Sequence, residues 1–343
     1  MFERELAATA AAMVAPGKGI LAIDESSGTI KKRFDLIGVE STVDNRRAYR
    51  DLLITTDGLS QFISGMILYD ETIKQATKTG TPFPEVMKKA GILTGIKVDT
   101  GAKALAGSAG EQVTEGLDGL RERLAEYKKL GAAFAKWRAV ITIGKDMPSD
   151  YCIAANMHAL ARYAALCQEA GIVPIVEPEV LMDGNHTLER CFDVTENTLH
   201  ALFDELHRQR VRYEHVVLKA SMVISGKGCA QQAGVQQVAD ATIQCLKRTV
   251  PAAVPGIVFL SGGQSDELAT AHLNAMNAQA AARPWPLSFS YGRALQAPAL
   301  KAWKGQAGNV PAAQKALSHR AKLNSAACFG RYKAEMEKDA LAA

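Results

Sequence analysis

Lys219 stands in the middle of "HVVLKASMV", residues 215–223, an apolar run with the length and β-branched content of a buried strand. A buried ammonium is costly unless it is paired or neutralised, so a lysine there needs a chemical or structural reason. Free lysine titrates at ~10.4 and is a poor nucleophile at neutral pH. Desolvation and neighbouring cations lower that value, and the amine can then capture a carbonyl compound as a Schiff base. The structural alternative is a lysine whose stem packs in the strand while its head reaches the strand end. Schiff-base chemistry also needs an acid/base to dehydrate the carbinolamine. Glu177 and Asp24 are the candidates, each at the end of an apolar run where a carboxylate pKa tends to rise. Equally, Glu177 could be an ion-pair partner for Lys136, and Asp24 could cap the "SSGT" turn that follows it. Side chains two apart on a strand share a face, which pairs Lys136 with Arg138 and Glu177 with Glu179.

A second group of residues suits an anionic handle. "LSGGQSDE" is a glycine turn, Ser261–Gly262–Gly263, opening a helix, and "SYGRALQ" repeats the plan with Ser290, Gly292 and Arg293. Glycine backbone, a helix N-terminus and one arginine form a common phosphate site. "APGKG" near the N-terminus and "SGKG" at 225–228 lack P-loop spacing and read as plain turns. None of the seven histidines forms HxH or HExxH, and most fall on expected helices, so the sequence offers no metal ligands.

These residues must be positioned by something, and the chain shows a repeated plan. Eight apolar runs occur at 19–24, 62–70, 91–99, 134–144, 171–181, 215–223, 256–263 and 286–293. Segments of helical periodicity separate most of them. "GLDGLRERLAEYKKLG" places Leu117, Leu120, Leu124 and Tyr127 on one stripe with Gly131 as a stop. A second helix runs from an N-cap at Ser149 to Gly171, and others are expected near 45–55 and over about 187–208, 229–249, 265–280 and 312–338. Eight strands alternating with helices predict an α/β fold, a single-domain (β/α)8 TIM barrel over 1–343 with a helical tail at about 312–343. Nearly every run ends in a charge or a glycine turn, and in a barrel those ends meet at one face. That face is where barrel active sites are built.

Composition bounds the partners. A net charge of +4 over 343 residues, with the basic residues spread out, leaves no footprint for nucleic acid. Six cysteines without CxxC spacing read as reduced thiols of a cytoplasmic protein. The N-terminus is a poor signal peptide, and no apolar run is long enough to cross a membrane.

The segments "GILAIDESSGTIKKRF", "GIKVDTG", "AKWRAVITIG", "IVEPEVLMDGNHTLERC", "LKASMV", "FLSGGQSDELAT" and "LSFSYGRALQ" closely resemble class I, Schiff-base, fructose-bisphosphate aldolase, in order from about residue 14 to 332. The resemblance implies a homotetrameric barrel without metal or other cofactor, acting in glycolysis and gluconeogenesis. It would cleave fructose 1,6-bisphosphate reversibly to dihydroxyacetone phosphate and glyceraldehyde 3-phosphate. By motif, Lys219 would be the Schiff-base lysine, Glu177 the acid/base for water, and Asp24 the acceptor of the C4 hydroxyl proton. Lys136 and Arg138 would stabilise developing charge, with Glu179 beside them. Ser261, Gly262, Gly263, Ser290, Gly292 and Arg293 would hold the C1 phosphate. Arg33 and Lys97 would serve the other end, with Arg46 a further substrate-binding candidate. The chain departs from the family at Ala220 and Ser221, where Pro-Asn or Pro-Ser is usual, and at Thr100, where lysine is common. Many members close a C-terminal tyrosine onto the site, whereas Tyr332 here falls inside the expected last helix. Two alternatives are a non-catalytic sugar-phosphate-binding barrel and a glycoside hydrolase using Glu177 and Glu179.

Overall fold

The computed structural model describes residues 2–279 and 282–341. Residue 280 of the helix expected over 265–280, and residues 342–343 of the tail, lie outside the described residues. Each of the eight apolar runs becomes a strand: β1 Gly19–Ala22, β2 Ile63–Leu68, β3 Leu93–Lys97, β4 Phe134–Ile141, β5 Val173–Val180, β6 Val217–Ala220, β7 Ile257–Phe259 and β8 Leu287–Tyr291. They pair in parallel and in chain order, and β8 returns to β1 to close a (β/α)8 TIM barrel. Parallel neighbours need long crossovers, which the helices supply. Several start on hydroxyl caps: Thr42, Ser149, Thr187 and Ser265 each accept a backbone N–H of the first turn.

The two-residue period of the strands sorts the core into two parts. One set of side chains, including Ile20, Phe134, Val173, Ile175, Val217 and Val258, fills the barrel interior. The helix Glu3–Met13 adds Leu6, Ala10 and Met13 to that cluster and plugs the N-terminal end. The phenyl ring of Phe134 spans this floor so closely that a Cβ at Gly95 would meet it at 2.2 Å. The other set points outward into the helical layer; Trp137, for instance, lies 5.6 Å from the ring of Tyr163.

Two expectations change. The helix expected from 229 begins at Val235, because Gln232 donates to the carbonyls of Gly226 and Cys229 and holds those residues in a turn. The helix expected over 312–338 is Val310–Cys328. Gly330, at φ 66°, ends it in a Schellman motif, with Gly330 N–H on Ala327 O and Arg331 N–H on Ala326 O. Tyr332 therefore lies outside that helix, before a 3-10 segment at Ala334–Leu341. An antiparallel hairpin, Gly101–Ala104 with Gln112–Glu115, was not anticipated. No described helix is long and apolar enough to cross a membrane, and all six cysteines are free thiols.

Candidate active site

The inward stripes that are apolar at the floor turn charged toward the C-terminal ends of the strands. Ile20 leads to Asp24, Phe134 to Lys136 and Arg138, Ile175 to Glu177 and Glu179, and Val217 to Lys219. Register sets Lys97 beside Lys136 and Arg138 beside Glu177. Closure of the barrel then gathers all of them around one open cleft of about 210 Å³.

At its base lies a buried quartet of two carboxylates and two ammoniums. Lys219 Nζ is 3.0 Å from Glu177 Oε1, and Lys136 Nζ is 2.7 Å from Asp24 Oδ2 and 3.4 Å from Glu177 Oε2. Burial would raise the Asp24 pKa, but the charges of Lys136 and Lys219 outweigh it and hold Asp24 well below the usual carboxylate range. Burial would likewise lower Lys136, but Asp24, Glu177 and Asp99 push it above ordinary lysine. Lys136 is thus a permanent cation, and Asp24 is an ionised carboxylate, not a cap. The helix after it, Ser27–Asp35, has Ser26 at its N-cap. Glu177 reaches both lysines, so it does pair with Lys136, yet its shorter contact is to Lys219.

The surrounding charges are each held by a neighbour. Arg138 Nε donates to Glu179 Oε2, and that pairing raises the guanidinium pKa against the effect of burial. Lys97 binds Asp99 Oδ1 at 2.7 Å, and the same carboxylate accepts the backbone N–H groups of Gly101 and Arg138. Asp99 thereby ties the hairpin and β4 to the lysine, a role the sequence reading did not assign. Glu25, also missed, is buried beside Asp24. It accepts from Arg33, from Arg50 at 2.6 Å and from Gln296 at 2.8 Å. Gln296 also donates to Ala22 O at 2.6 Å, so the end of β1, Arg33 and the helix Arg293–Trp303 form one network. The signal for Glu25 was its place next to Asp24 in "AIDES".

Ser26, Thr29, Arg33, Lys97, Ser261, Gly262, Ser290, Gly292 and Arg293 all line the cleft, and the Arg33 guanidinium lies beside Gly292, where a Cβ would meet its Nη2 at 3.7 Å. Gly262 and Gly263 both have positive φ, 59° and 97°, which favours glycine and turns the chain into the helix Asp266–Ala278. The hydroxyl of Ser290 is buried without a hydrogen-bond partner among the described residues. Gly263 sits just outside the lining, under the Arg293 guanidinium. Arg46 is not brought to the cleft. Its guanidinium makes a bidentate pair with Glu71 at 2.8 and 2.6 Å. Tyr332 is absent from the lining as well, since its hydroxyl donates to Glu337 at 2.8 Å.

The Ala220–Ser221 departure has a structural counterpart. β5 and β6 pair only at Ile175–Val217 and Val176–Leu218. Above that, the buried Ser221 hydroxyl accepts from Val180 N–H at 3.0 Å and donates to Val180 O at 3.1 Å, continuing the ladder by a side chain. Among the described residues, no group of three or more His, Cys, Asp or Glu is placed to hold a metal ion.

The arrangement combines an amine beside a carboxylate, a fixed cation, an ionised base and further cations, Arg33, Lys97 and Arg293, around the cleft. That is the equipment for imine chemistry on an anionic carbonyl compound. Comparison with known proteins agrees. Residues 5–343 match the family model described as fructose-bisphosphate aldolase class-I. A probable fructose-bisphosphate aldolase class 1 of Xanthomonas campestris is 64% identical over 330 residues, covering 96% of this chain and 98% of that protein. The cytosolic fructose-bisphosphate aldolase 4 of Arabidopsis thaliana is 54% identical, covering 97% and 85%. A solved structure of Plasmodium falciparum fructose-bisphosphate aldolase, in complex with TRAP and a small-molecule inhibitor, superposes with a TM-score of 0.95. It shares 49% identity and covers 96% of this chain and 95% of that one.

Proposed function

We propose, for a chain that belongs to the class I fructose-bisphosphate aldolase family, that the quartet at the cleft base divides the retro-aldol reaction among four residues. The enzyme is a lyase that cleaves fructose 1,6-bisphosphate through a lysine Schiff base, a reaction of glycolysis. The observation that carries the assignment is the 3.0 Å contact between Lys219 Nζ and Glu177 Oε1.

In this reading Glu177 takes a proton from Lys219 as its amine adds to C2 of the open-chain sugar. The same carboxyl returns a proton to the carbinolamine hydroxyl, which leaves as water, and the iminium remains. The iminium is the electron sink. As the C3–C4 pair moves toward it, Asp24 accepts the C4 hydroxyl proton, glyceraldehyde 3-phosphate departs, and an enamine stays on Lys219. A carboxylate held so low by Lys136 is a weak base on its own, so its proton uptake must be coupled to bond cleavage into the iminium. Protonation at C3 and hydrolysis release dihydroxyacetone phosphate. Lys136 and Arg138 stay charged throughout and offset the anionic substrate. The Ser261–Gly263 turn with Ser290, Gly292 and Arg293 holds the C1 phosphate. Arg33, Lys97, Ser26 and Thr29 face the other end; Arg46, held by Glu71 and Ser41 outside the cleft lining, takes no direct part.

The glycoside hydrolase alternative needs one of Glu177 and Glu179 protonated. Here Glu177 is paired with Lys219 and Lys136, and Glu179 with Arg138, contacts that suit the imine reading better. A homotetramer in the cytoplasm, made of one barrel domain with a C-terminal tail, follows from the family resemblance and completes the reading.

Single-turnover kinetics separate the roles. Asp24→Asn should still form the imine with dihydroxyacetone phosphate yet lose cleavage of fructose 1,6-bisphosphate by two or more orders of magnitude. Glu177→Gln should slow imine formation itself. An Asp24→Asn enzyme that cleaves at the wild-type rate would remove Asp24 from the mechanism.

A further inference from the structure

The "SGKG" turn at 225–228 is more than a plain turn. Its backbone is locked onto the loop after β5: Gly226 N–H binds His186 O at 2.9 Å, Lys227 N–H binds Met182 O at 2.8 Å, and Gly228 N–H binds Gly184 O at 2.7 Å. The approach is so close that a Cβ on Gly226 would meet Gly184 O at 2.6 Å. This lock fixes the base of the Lys227 side chain, whose half-exposed head reaches inward.

The head reaches the glycine turn of the phosphate wall. A Cβ built on Gly263 would meet Arg293 Nη2 at 3.0 Å and Lys227 Nζ at 3.1 Å. Two cations from separate loops therefore converge on one point above a backbone that can carry no side chain. The unpartnered, buried Ser290 hydroxyl lines the same wall. One anionic neighbour faces Lys227, Asp183, whose Oδ1 lies 2.9 Å away on the exposed rim.

We propose that Lys227 is a second cationic ligand for the phosphate held by the Ser261–Gly263 turn, with Asp183 as the counter-charge that orients it when the site is empty. The inference rests on the phosphate assignment made above. A phosphate dianion between Arg293 and Lys227 gains a second charge-assisted contact, and Asp183 opposes it by repulsion. Lys227 binds substrate and takes no part in bond-making.

The test measures KM for fructose 1,6-bisphosphate and competitive inhibition by inorganic phosphate in Lys227→Met, Lys227→Arg, Asp183→Asn and Arg293→Met, with melting curves for each. Lys227→Met should weaken phosphate inhibition and raise KM about tenfold, ~1.4 kcal/mol, and Lys227→Arg should recover most of it. Asp183→Asn should tighten phosphate inhibition, because an opposing anion is gone. If Arg293→Met weakens both while a folded Lys227→Met does neither, Lys227 is no ligand and the phosphate wall stands. If neither variant weakens them, the phosphate wall itself is misassigned and the inference falls with it. If Lys227→Met fails to fold, Asp183→Asn decides: unchanged or weaker phosphate inhibition overturns the proposal.

Discussion

Replacing Lys136 by methionine keeps the side-chain volume and removes one of the two ammoniums in the quartet. Asp24 and Glu177 would then share the single charge of Lys219. Breaking a buried ion pair on one side costs roughly 3–5 kcal/mol, because the abandoned charge stays buried. Lys136 and Asp24 are 5% and 12% exposed at their side chains, so this buried-pair range applies. The pH dependence follows from the two shifts. In the wild type, Asp24 is held below its ordinary 3.8 and Lys136 above its ordinary 10.5. Their pairing is therefore complete between those values, is lost only as pH falls below the first or rises above the second, and gives no slope at neutrality. In Lys136→Met, burial acts on Asp24 with less opposition and raises its pKa, so acidification from pH 7 to 5 should return part of the loss. Urea denaturation at both pH values measures this, together with the double variant Lys136→Met/Asp24→Asn. The double variant should be more stable than Lys136→Met alone at pH 7. A single-variant loss below about 1 kcal/mol, or a loss unchanged by pH and by the second substitution, would refute the reasoning.

Other expectations test neighbouring parts. His272 is buried with its Nδ1 2.6 Å from Gln264 Oε1, and burial lowers its pKa to about 4 from the ordinary 6.5. A lowered folded pKa contributes stability fully above 6.5 that is lost as pH falls toward 4, about 3 kcal/mol in all; a slope as steep in His272→Gln would contradict it. Ser221→Ala leaves Val180 N–H and C=O without their side-chain partner and should cost about 1–3 kcal/mol, with kcat falling more than KM changes. Unaltered stability and kcat would show that the strand end needs no such bridge. Tyr332→Phe should leave turnover of fructose 1,6-bisphosphate within twofold of wild type, since the hydroxyl is engaged by Glu337; a large loss would mean that the tail leaves its place during the cycle.

The barrel was legible because all eight strands are apolar runs, which only a sheet covered on both faces requires. The hairpin at 101–115 was not, since "GAKA" and "QVTE" are short, largely polar and lack that pattern. The helix Phe83–Lys89 is short and has prolines at its N-cap and second position, Pro82 and Pro84. The "RYKAEMEK" after Gly330 reads as helix by propensity, and the backbone geometry at Gly330, φ 66°, overrode it. Within the site, residue type and strand position singled out Lys219, Glu177, Asp24, Lys136 and Arg138. The Lys136–Glu177 pairing was open to view as a possibility, whereas the contacts of Lys136 with Asp24 and of Glu177 with Lys219 depend on barrel closure, which no spacing in one chain encodes. Nothing local announces that Arg46 is held by Glu71 at Nε and Nη2 and by the Ser41 carbonyl at Nη1.

Borohydride trapping tests the central assignment most directly. The protein is incubated with dihydroxyacetone phosphate and a metal chelator, reduced, and peptide-mapped for the added mass. A stoichiometric adduct on Lys219, lost in Lys219→Met, is the predicted result. An adduct on Lys136 or Lys97 instead, or none on a folded enzyme that still cleaves substrate, would contradict it.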